Sequence, residues 1–412
     1  MKIIVQKFGG TSVRAEADRL QAVKQIEKAT IEGYKVVVVV SAMGRMGDAY
    51  STDSLLSLIE IDKASKREVD LIMSCGETIS AVVFANLLKQ HGIHAEALTG
   101  GQAGFRTSEN FTNAKIIDMR TERIKRLLQE LDVVVVAGFQ GQAESGEITT
   151  LGRGGSDTSA AALGAALQAE WVDIFTDVEG VMTADPRIVE DARQLHVLTY
   201  NEICNMAYQG AKVIHPRAVE IAMNAKVPLR IRSTYSDQPG TLVTSIRKVK
   251  EGNDVQERLI TGITYVDQVT QIEVTAKEGD FDFQKTVFKA MAEHQISVDF
   301  FNISPKSIVY TVNDSVTDLA ISVLKEHGFE PIVKRGCAKV SAVGAGIAGV
   351  PGVTSKIVQS LTDLGIQILQ SADSHTTIWV LISRDYLKEA VNALHQVFEL
   401  DKPENEKTKE FF

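Results

Sequence analysis

The sequence predicts an α/β protein in two parts. The first is a mainly parallel open sheet between helices, and the second is a pair of ferredoxin-like βαββαβ units. Residues 35–41 and 132–139 are continuous β-branched runs separated by helical stretches, which is typical of parallel strands buried on both faces. Beyond residue 259, one order of strands and helices recurs after roughly 65 residues, which indicates an internal repeat.

The elements of the first part follow from apolar periodicity and turn residues. We predict strands at 2–8, 35–41, 94–98, 132–139, 171–177 and 227–233, and helices at 16–32, 65–91, from 152–157 onward, and twice within 200–225. In the second part we predict strands at 271–276, 297–303, 307–312, 331–334, 338–344, 367–371 and 377–382, and helices at 283–294, 316–327, 354–364 and 386–397.

The domain limits follow from a change of composition. Residues 236–258 combine a Pro-Gly turn with a mixed-charge stretch, as linkers do. We therefore predict a first domain at 1–235, the linker at 236–258, repeat units at 259–335 and 336–400, and a charged tail at 401–412.

Composition excludes several function classes. The 412 residues carry a net charge of −9, which disfavours a nucleic-acid partner. Unbroken apolar runs are much shorter than the ~20 residues of a membrane span, and the N-terminal residues lack a signal-peptide pattern. The three cysteines are far apart, so we expect neither disulfides nor a zinc site, and a cytoplasmic location.

Glycine-rich and polar loops follow several strand ends, where open α/β sheets bind ligands. No Walker A loop and no dinucleotide fingerprint occur in the sequence. Lys7 lies in an apolar strand just before Gly9 and Gly10. It is either an end-of-strand lysine that reaches solvent or a cation placed to contact a phosphate whose oxygens approach the glycines.

Two further features each have a structural and a functional interpretation. Arg153 stands among the glycines of residues 152–158, which form either a turn with a helix cap or a bidentate grip on a carboxylate. Glu77 follows Gly76 within a helix, as either a close packing point or a carboxylate presented to an ammonium group. The polar residues near Thr176 and Arg187 form either an ordinary loop or a nucleotide pocket.

Six motifs, in this order, resemble those of the aspartokinase family. They are Lys7-Phe8-Gly9-Gly10-Thr11-Ser12, Val40-Ser41-Ala42-Met43-Gly44, Gly76-Glu77, Ala137-Gly138-Phe139-Gln140-Gly141, Thr150-Leu151-Gly152-Arg153-Gly154-Gly155-Ser156-Asp157-Thr158 and Thr183-Ala184-Asp185-Pro186-Arg187. The resemblance covers nearly the whole chain and is nearest to the diaminopimelate-sensitive bacterial enzymes. It implies an amino-acid-kinase fold followed by two ACT domains, the first inserted within the second, so that a strand near 259–266 belongs to the second.

The resemblance also implies an activity: ATP-dependent, Mg²⁺-assisted phosphorylation of L-aspartate to 4-phospho-L-aspartate. This is the first step toward lysine, threonine, methionine and diaminopimelate. Lys7 and Asp157 would be catalytic, and Ser41, Thr52, Glu77, Arg153 and Ser156 would bind substrate. The ATP site would comprise Lys7, Phe8, Gly9, Gly10, Thr176, Asp177, Met182, Thr183, Ala184, Asp185, Pro186, Arg187 and Lys212. At Met182 relatives often carry an aromatic residue, so stacking is not expected there.

The resemblance further implies an allosteric amino-acid effector at the second ACT domain and a homo-oligomer formed through ACT pairing. The effector residues would be Gly349, Val350, Pro351, Gly352, Val353, Ser371 and Asp373, with meso-diaminopimelate favoured because its two ammonium–carboxylate ends suit extra hydroxyl donors. An ordinary β-turn explains the 371–376 stretch equally well. Two alternatives stay open for the whole chain: another enzyme of the same fold, acting on acetylglutamate, glutamate, carbamate or UMP, or a non-catalytic amino-acid sensor.

Overall fold

The computed structural model describes residues 1–245, 259–276, 282–347 and 350–402. They form two compact units, each discontinuous in sequence. The first comprises Met1–Val181, Gln194–Tyr208 and Lys212–Asp254, and the second Met182–Arg193, Gln209–Ala211 and Val255–Phe412. Two short segments from within the predicted first domain thus belong to the second unit. Residues 241–244 of the predicted linker form a strand of the first unit's main sheet, so the linker prediction was wrong there. Residues 246–258 of the predicted linker and nearly all of the predicted tail lie outside the described residues.

Within the described residues, the first unit contains twelve strands and seven α-helices. The strands are β1 (Ile3–Phe8), β2 (Lys35–Val40), β3 (Ala95–Leu98), β4 (Phe105–Thr107), β5 (Ile116–Met119), β6 (Val133–Ala137), β7 (Gln140–Ala143), β8 (Ile148–Thr150), β9 (Val172–Thr176), β10 (Val197–Thr199), β11 (Leu229–Ser233) and β12 (Thr241–Thr244). The helices are α1 (Glu16–Ile31), α2 (Thr52–Leu56), α3 (Lys66–Gln90), α4 (Glu122–Glu130), α5 (Gly155–Leu167), α6 (Tyr200–Tyr208) and α7 (Pro216–Ala225).

The main sheet of this unit has the described strand order β10-β12-β11-β9-β1-β2-β6-β3. Every neighbouring pair is parallel except β11 and β12, so the predicted mainly parallel sheet is confirmed. The valines of β2 and β6 are fully buried, as their continuous apolar pattern requires. The short strands β4, β5, β7 and β8 form a separate small sheet that the sequence did not predict, because three or four residues carry too little periodicity.

Helix α3 is long and apolar enough to cross a membrane by length and composition alone, although 56% of that window is buried inside the fold. Phe84 and Leu88 lie in the hydrophobic core with the valines of β2 and β6. The helix therefore packs as a core element of the first unit.

In the second unit the described strands are β13 (Gly262–Thr275), β14 (Asp299–Ile303), β15 (Ser307–Asn313), β16 (Ile332–Val343), β17 (Gln370–Asp373) and β18 (Thr377–Ser383). Its helices are α8 (Phe283–Glu293), α9 (Thr317–Glu326), α10 (Val353–Asp363) and α11 (Leu387–Val397). All six strands form one sheet in the order β14-β15-β13-β16-β18-β17.

The two long strands, β13 and β16, each serve both halves of this sheet. The end of β13 pairs with β15, while its beginning, from Gly262 to Val266, pairs with the second half of β16. Each half is therefore a four-stranded ferredoxin-like unit with its own hydrophobic core. Ala184 and Val189 are buried in the core of the second half, which explains why their segment belongs to this unit.

Candidate active site

The carboxyl ends of the central strands carry most of the predicted site residues of the first unit. Because β1, β2, β6 and β9 are parallel neighbours, their ends meet at one edge of the sheet. Backbone hydrogen bonds join the loops there: Ser41 N donates to Phe8 O at 3.2 Å and Gly138 N donates to Val40 O at 3.0 Å. This edge is the candidate active site.

Lys7 and Asp157 form an ion pair at this edge. The Lys7 Nζ lies 2.8 Å from Asp157 Oδ1, and each side chain is only 13% exposed. Asp157 lies in the first turn of α5, where the helix dipole stabilises a negative charge. Of the two interpretations of Lys7, the structure therefore disfavours a lysine extended into solvent.

His215 is a residue of this site that the sequence analysis missed. It caps α7, and its ring Nδ1 accepts a hydrogen bond from Arg217 N, while its backbone N donates to Asp157 Oδ2 at 3.3 Å. Burial lowers the pKa of His215; Asp157 opposes this effect, and the charges of Arg217 and Arg153 add to it. The available signal was the His-Pro pair, since proline is favoured at the first position of a helix.

The glycines after β1 allow a close approach of two loops. A Cβ at Gly10 would lie 2.7 Å from the carbonyl oxygen of Gly44, and Gly44 N donates to Gly10 O at 3.0 Å. A Cβ at Gly9 would lie 3.4 Å from Lys7 Nζ. A half-buried stretch of glycine backbone thus lies directly beside the lysine ammonium.

Glu77 is buried with half of its carboxylate unsatisfied. Glu77 lies on α3 and is only 3% exposed. One oxygen accepts a hydrogen bond from Ala42 N at 3.1 Å, and the other has no partner among the described residues. Burial raises the pKa of Glu77 to about 7. A buried carboxylate with an open oxygen is suited to an ammonium ligand.

Gly76 explains how Glu77 reaches the edge. A Cβ at Gly76 would lie 2.8 Å from the Cβ of Ala42 and 3.2 Å from the Tyr50 carbonyl oxygen. The helix therefore packs tightly against the loop after β2, as the packing interpretation of Gly76 requires, and the presentation of Glu77 to an ammonium group stays a prediction. Ser41 begins that loop, and Thr52 opens α2, which packs against the same stretch of α3.

Arg153 projects from the glycine-rich loop that leads into α5. It is exposed and lies between Gly152 and Gly154, both with positive φ. Its guanidinium forms no ion pair or hydrogen bond with any described residue, so it is available to a ligand. Ser156, on the next turn, is buried, and its Cβ lies 3.1 Å from the position of a Cβ at Gly138.

The predicted nucleotide residues of the first unit are Thr176, Asp177 and Lys212, together with Phe8. Thr176 ends β9 and donates to Asp177 Oδ1 at 3.1 Å, and Asp177 pairs with Arg45 at 3.1 Å. Phe8 is buried and its ring stacks on Phe175 at 4.7 Å, so its side chain supports the core, while Lys212 is exposed.

The predicted nucleotide residues 182–187 belong to the second unit, where several of them already have partners. Thr183 Oγ1 lies 2.9 Å from His395 Nε2 and accepts a hydrogen bond from Arg193 N at 2.9 Å. Arg187 pairs with Asp185 at 2.6 Å and holds the pKa of Asp185 below its usual value. Ala184 is buried. Met182 and Pro186 lie in the same segment, and its role in ATP binding stays a prediction.

The predicted effector residues lie at one end of the sheet of the second unit. Gly352 caps α10 with a φ of +92°, Val353 is buried, and Val350 and Pro351 precede it. Ser371 and Asp373 are exposed on the edge strand β17. Gly344 N donates to Thr376 O at 2.9 Å, so the loop before α10 and the β17–β18 turn are neighbours. Gly349 lies outside the described residues.

The site residues of the first unit define a class of protein. A lysine beside glycines at the end of a parallel strand can hold phosphate oxygens, and an open guanidinium with a buried carboxylate can hold an amino acid. The fold and the site are those of a small-molecule kinase that accepts an amino acid.

Comparison with known proteins names the family. The model of the amino acid kinase family matches residues 2–233, and an ACT domain model matches residues 332–396. Aspartokinase 1 of Bacillus subtilis (strain 168) is 65% identical over 404 residues, covering 98% of this chain and 100% of that protein. The chain therefore belongs to the aspartokinase family: it is an ATP-dependent aspartate kinase with ACT domains for allosteric regulation.

Two solved structures of one relative are also similar over most of their length. Aspartokinase III of E. coli in complex with aspartate and ADP, in the R-state, has a TM-score of 0.78 at 25% identity, covering 96% of this chain and 99% of that one. The same enzyme in complex with lysine and aspartate, in the T-state, has a TM-score of 0.75 at 25% identity and the same coverage. The predicted fold, with its kinase and ACT parts, is confirmed.

Proposed function

We propose that Lys7, Asp157, Glu77 and Arg153 carry the kinase reaction at the carboxyl edge of the first unit's sheet. Lys7 contacts the transferring phosphoryl group, Asp157 orients Lys7, and Glu77 and Arg153 hold the ammonium and α-carboxylate of L-aspartate. The observation that carries the proposal is the Lys7–Asp157 ion pair on the same edge as the open oxygen of buried Glu77. Ser41, Thr52 and Ser156 complete the substrate site.

The chemistry needs no general base. The nucleophile is the side-chain carboxylate of aspartate, whose reference pKa of about 3.9 leaves it ionised at neutral pH. The obstacle is repulsion between this anion and the ATP phosphates, so catalysis depends on cations and on alignment. Lys7 supplies a buried positive charge, and Gly9 and Gly10 supply backbone N–H groups beside it.

Asp157 acts as an orienting group in this proposal. One of its carboxylate oxygens pairs with Lys7 Nζ, and the other accepts a hydrogen bond from His215 N. The carboxylate is therefore held from two sides. A lysine held in this way loses little conformational freedom when the phosphate arrives.

A divalent metal accompanies ATP in such a reaction, and we propose that it is Mg²⁺. Among the described residues, no group of three or more His, Cys, Asp or Glu side chains is arranged to hold a metal. Mg²⁺ carried on nucleotide phosphates needs only one or two carboxylates, and Asp157 fits that need. When bound, the metal would neutralise phosphate charge.

A substrate panel tests the assignment. ADP release from ATP should require L-aspartate and should be negligible with glutamate, acetylglutamate, carbamate or UMP. UMP in particular offers no ammonium group for Glu77. Release with one of these instead would favour a sister activity on the same fold. No release with any acceptor would favour a non-catalytic sensor.

We further propose that meso-diaminopimelate is the inhibitor sensed by the second half of the ACT unit. The loop before α10 ends in a left-handed glycine whose helix has no side-chain cap, so backbone N–H groups are open to a carboxylate. Asp373 and the hydroxyls of 371–376 lie on the neighbouring hairpin and suit the ligand's ammonium groups. Lysine is the competing candidate, because the T-state relative is a complex with lysine.

Titrating kinase activity with meso-diaminopimelate, lysine and threonine in turn tests this assignment. We expect meso-diaminopimelate to inhibit the kinase at a lower concentration than lysine or threonine. The proposal also includes a homo-oligomer formed through ACT pairing and a cytoplasmic location, where ATP and aspartate are available. Sedimentation of the purified protein with and without effector checks whether the homo-oligomer forms.

A further inference from the structure

One buried and one half-buried charged side chain in the first unit bind backbone groups where the chain enters the glycine-rich loop. Asp70 lies on α3, two turns before Glu77 on the same face, and is 0% exposed. Arg217 lies on α7 and is half-buried. Neither forms an ion pair with any described residue, and neither was part of the sequence-predicted site.

Asp70 holds Thr150 and Thr112. It accepts hydrogen bonds from Thr150 N at 2.9 Å and from Thr150 Oγ1 at 2.6 Å. Both of its oxygens also lie 3.0 Å from Thr112 N. Thr112 has a φ of +70°, and its carbonyl oxygen would lie 3.1 Å from a Cβ at Gly152. Asp70 therefore connects the end of β8, which leads into the glycine-rich loop, with Thr112, which packs against that loop at Gly152.

Arg217 binds Leu151, the residue that follows Thr150 at the end of β8. Its guanidinium donates to Leu151 O at 2.8 Å and to Ala114 O at 3.0 Å. Leu151 N donates to Phe139 O at 2.8 Å, and Ala114 N donates to Thr150 O at 2.9 Å. Every backbone N–H and C=O group of Thr150 and Leu151 therefore has a partner, two of them charged.

Burying a charge without a counter-ion is costly, and hydrogen bonds to an ionised group are stronger and more directional than neutral ones. Burial raises the pKa of Asp70 in spite of its hydrogen bonds and lowers that of Arg217. Neutral side chains would connect these backbone groups at less cost, so the charges indicate that accurate placement of the loop matters. The loop that begins one residue later carries Arg153, Ser156 and Asp157.

We propose that Asp70 and Arg217 are positioning residues that hold the 152–157 loop so that Arg153 and Asp157 meet the substrate in the correct geometry. The inference rests on the proposed role of Arg153 and deepens it. The two side chains touch no reacting atom and act through the backbone of Thr150 and Leu151.

The test compares Asp70→Asn and Arg217→Lys with a matched control, Asp173→Asn. Asp173 is equally buried and forms a bidentate pair with Arg230, so its loss also removes a buried charged contact but leaves the loop anchored. In variants shown to be folded by circular dichroism, we expect the aspartate KM to rise tenfold or more for the first two, with the ATP KM within twofold. The control should leave both KM values near wild type.

Thr150→Val is the milder variant if Asp70→Asn does not fold, since it removes only the hydroxyl bond to Asp70 and should raise the aspartate KM by a few-fold. An unchanged aspartate KM in the folded variants, or an equal rise in the Asp173→Asn control, would overturn the proposal.

A double-mutant cycle separates this inference from the role of Arg153. If Asp70 acts through Arg153, then Asp70→Asn adds little to the aspartate KM of Arg153→Ala, and the two effects are strongly non-additive. Fully additive effects would overturn the inference while leaving the substrate role of Arg153 intact. If Arg153→Ala alone leaves the aspartate KM unchanged, it is the proposed role of Arg153 that fails.

Discussion

Two glycine-rich loops, one in each unit, lead into a helix through the same left-handed glycine conformation, but they differ in how tightly that glycine is packed. The 152–154 stretch leads into α5 and the stretch ending at Gly352 leads into α10; each helix begins after a left-handed glycine with no side-chain cap. A Cβ at Gly154 would lie 2.2 Å from the ring of His215, whereas a Cβ at Gly352 would meet nothing within 4 Å. The first loop is packed in place, and the second is open.

This difference matches the role that we propose for each loop. Phosphoryl transfer depends on positions accurate to a fraction of an ångström, so the loop of the kinase unit is held by buried polar contacts and close packing. A sensor must change its conformational equilibrium when a ligand arrives, and the exposed residues Pro351 and Gly352 before α10 leave room for that change. Five predictions follow from the comparison, from the largest expected effect to the smallest.

Lys7→Ala should produce the largest loss on the packed side. Removing a cation that stabilises transition-state charge typically lowers kcat by ~10²-fold or more, with a smaller effect on KM. Steady-state kinetics with saturating aspartate and ATP measure this directly. A variant with wild-type kcat would show that Lys7 does not contact the transferring group.

Gly154→Ala and Gly352→Ala form a matched pair that tests the comparison itself. Each places a Cβ on a left-handed backbone, which costs about 1–2 kcal/mol. Only Gly154→Ala also creates a clash, with His215, so it should lose more stability and most activity, whereas Gly352→Ala should keep its uninhibited activity. Urea unfolding and kcat are the measurements, and equal losses in both variants would contradict the packed–open distinction.

Glu77→Gln should stabilise the protein while weakening substrate binding. The raised pKa means that ionised Glu77 destabilises the fold; this cost in folding free energy is absent below the ordinary glutamate pKa of about 4.5, grows as pH rises, and is complete above about 7. The variant should gain up to about 3 kcal/mol at pH 8 and almost nothing at pH 4.5. The aspartate KM should rise at least tenfold.

Urea unfolding at the two pH values and the aspartate KM check this prediction together. The wild-type aspartate KM should also fall as pH rises through 7, since only the carboxylate binds an ammonium group. A stability gain with no change in KM would show that Glu77 is a packing residue.

Arg153→Lys should raise the aspartate KM about tenfold with the ATP KM largely kept, because a point charge does not reproduce a bidentate grip on a carboxylate. Initial rates across both substrate concentrations separate the two constants. Weaker ATP binding with unchanged aspartate binding would place Arg153 in the nucleotide subsite.

Asp373→Ala should produce the smallest effect, on the open side. Asp373 is exposed, so a single ion pair there contributes at most ~1 kcal/mol, or about a fivefold rise in the inhibition constant for meso-diaminopimelate. Uninhibited activity should stay near wild type. Reciprocity requires that aspartate weaken effector binding by the same factor by which the effector weakens aspartate binding. If the wild-type enzyme responds to lysine alone, the effector assignment is wrong and the kinase assignment stands.

Much of the fold could be predicted from local sequence pattern. The valine runs of β2 and β6, the long helix α3 and the four helices of the second part all lie within a few residues of their predicted limits. Two predicted strand limits were wrong: the strands predicted at 331–334 and 338–344 form the single strand β16, and β13 begins at Gly262 and not at 271, because both long strands pair with partners in each half of the sheet. The small sheet of β4, β5, β7 and β8 escaped prediction, because short strands with polar residues are stabilised by their partners and not by their own periodicity.

The lysine before two glycines, the arginine among glycines and the glutamate after a mid-helix glycine each allowed a structural and a functional interpretation, and it was the order of the six motifs, through their resemblance to the aspartokinase family, that determined the class of chemistry from the sequence by itself. Tertiary structure alone decided which charges are paired and which are open. Glu77 and Asp70 are both buried acids on α3, yet one oxygen of Glu77 has no described partner while Asp70 is saturated. Apart from the Thr150 hydroxyl, the partners of Asp70 and Arg217 are backbone groups, which every residue carries, so no residue type in the sequence marks them.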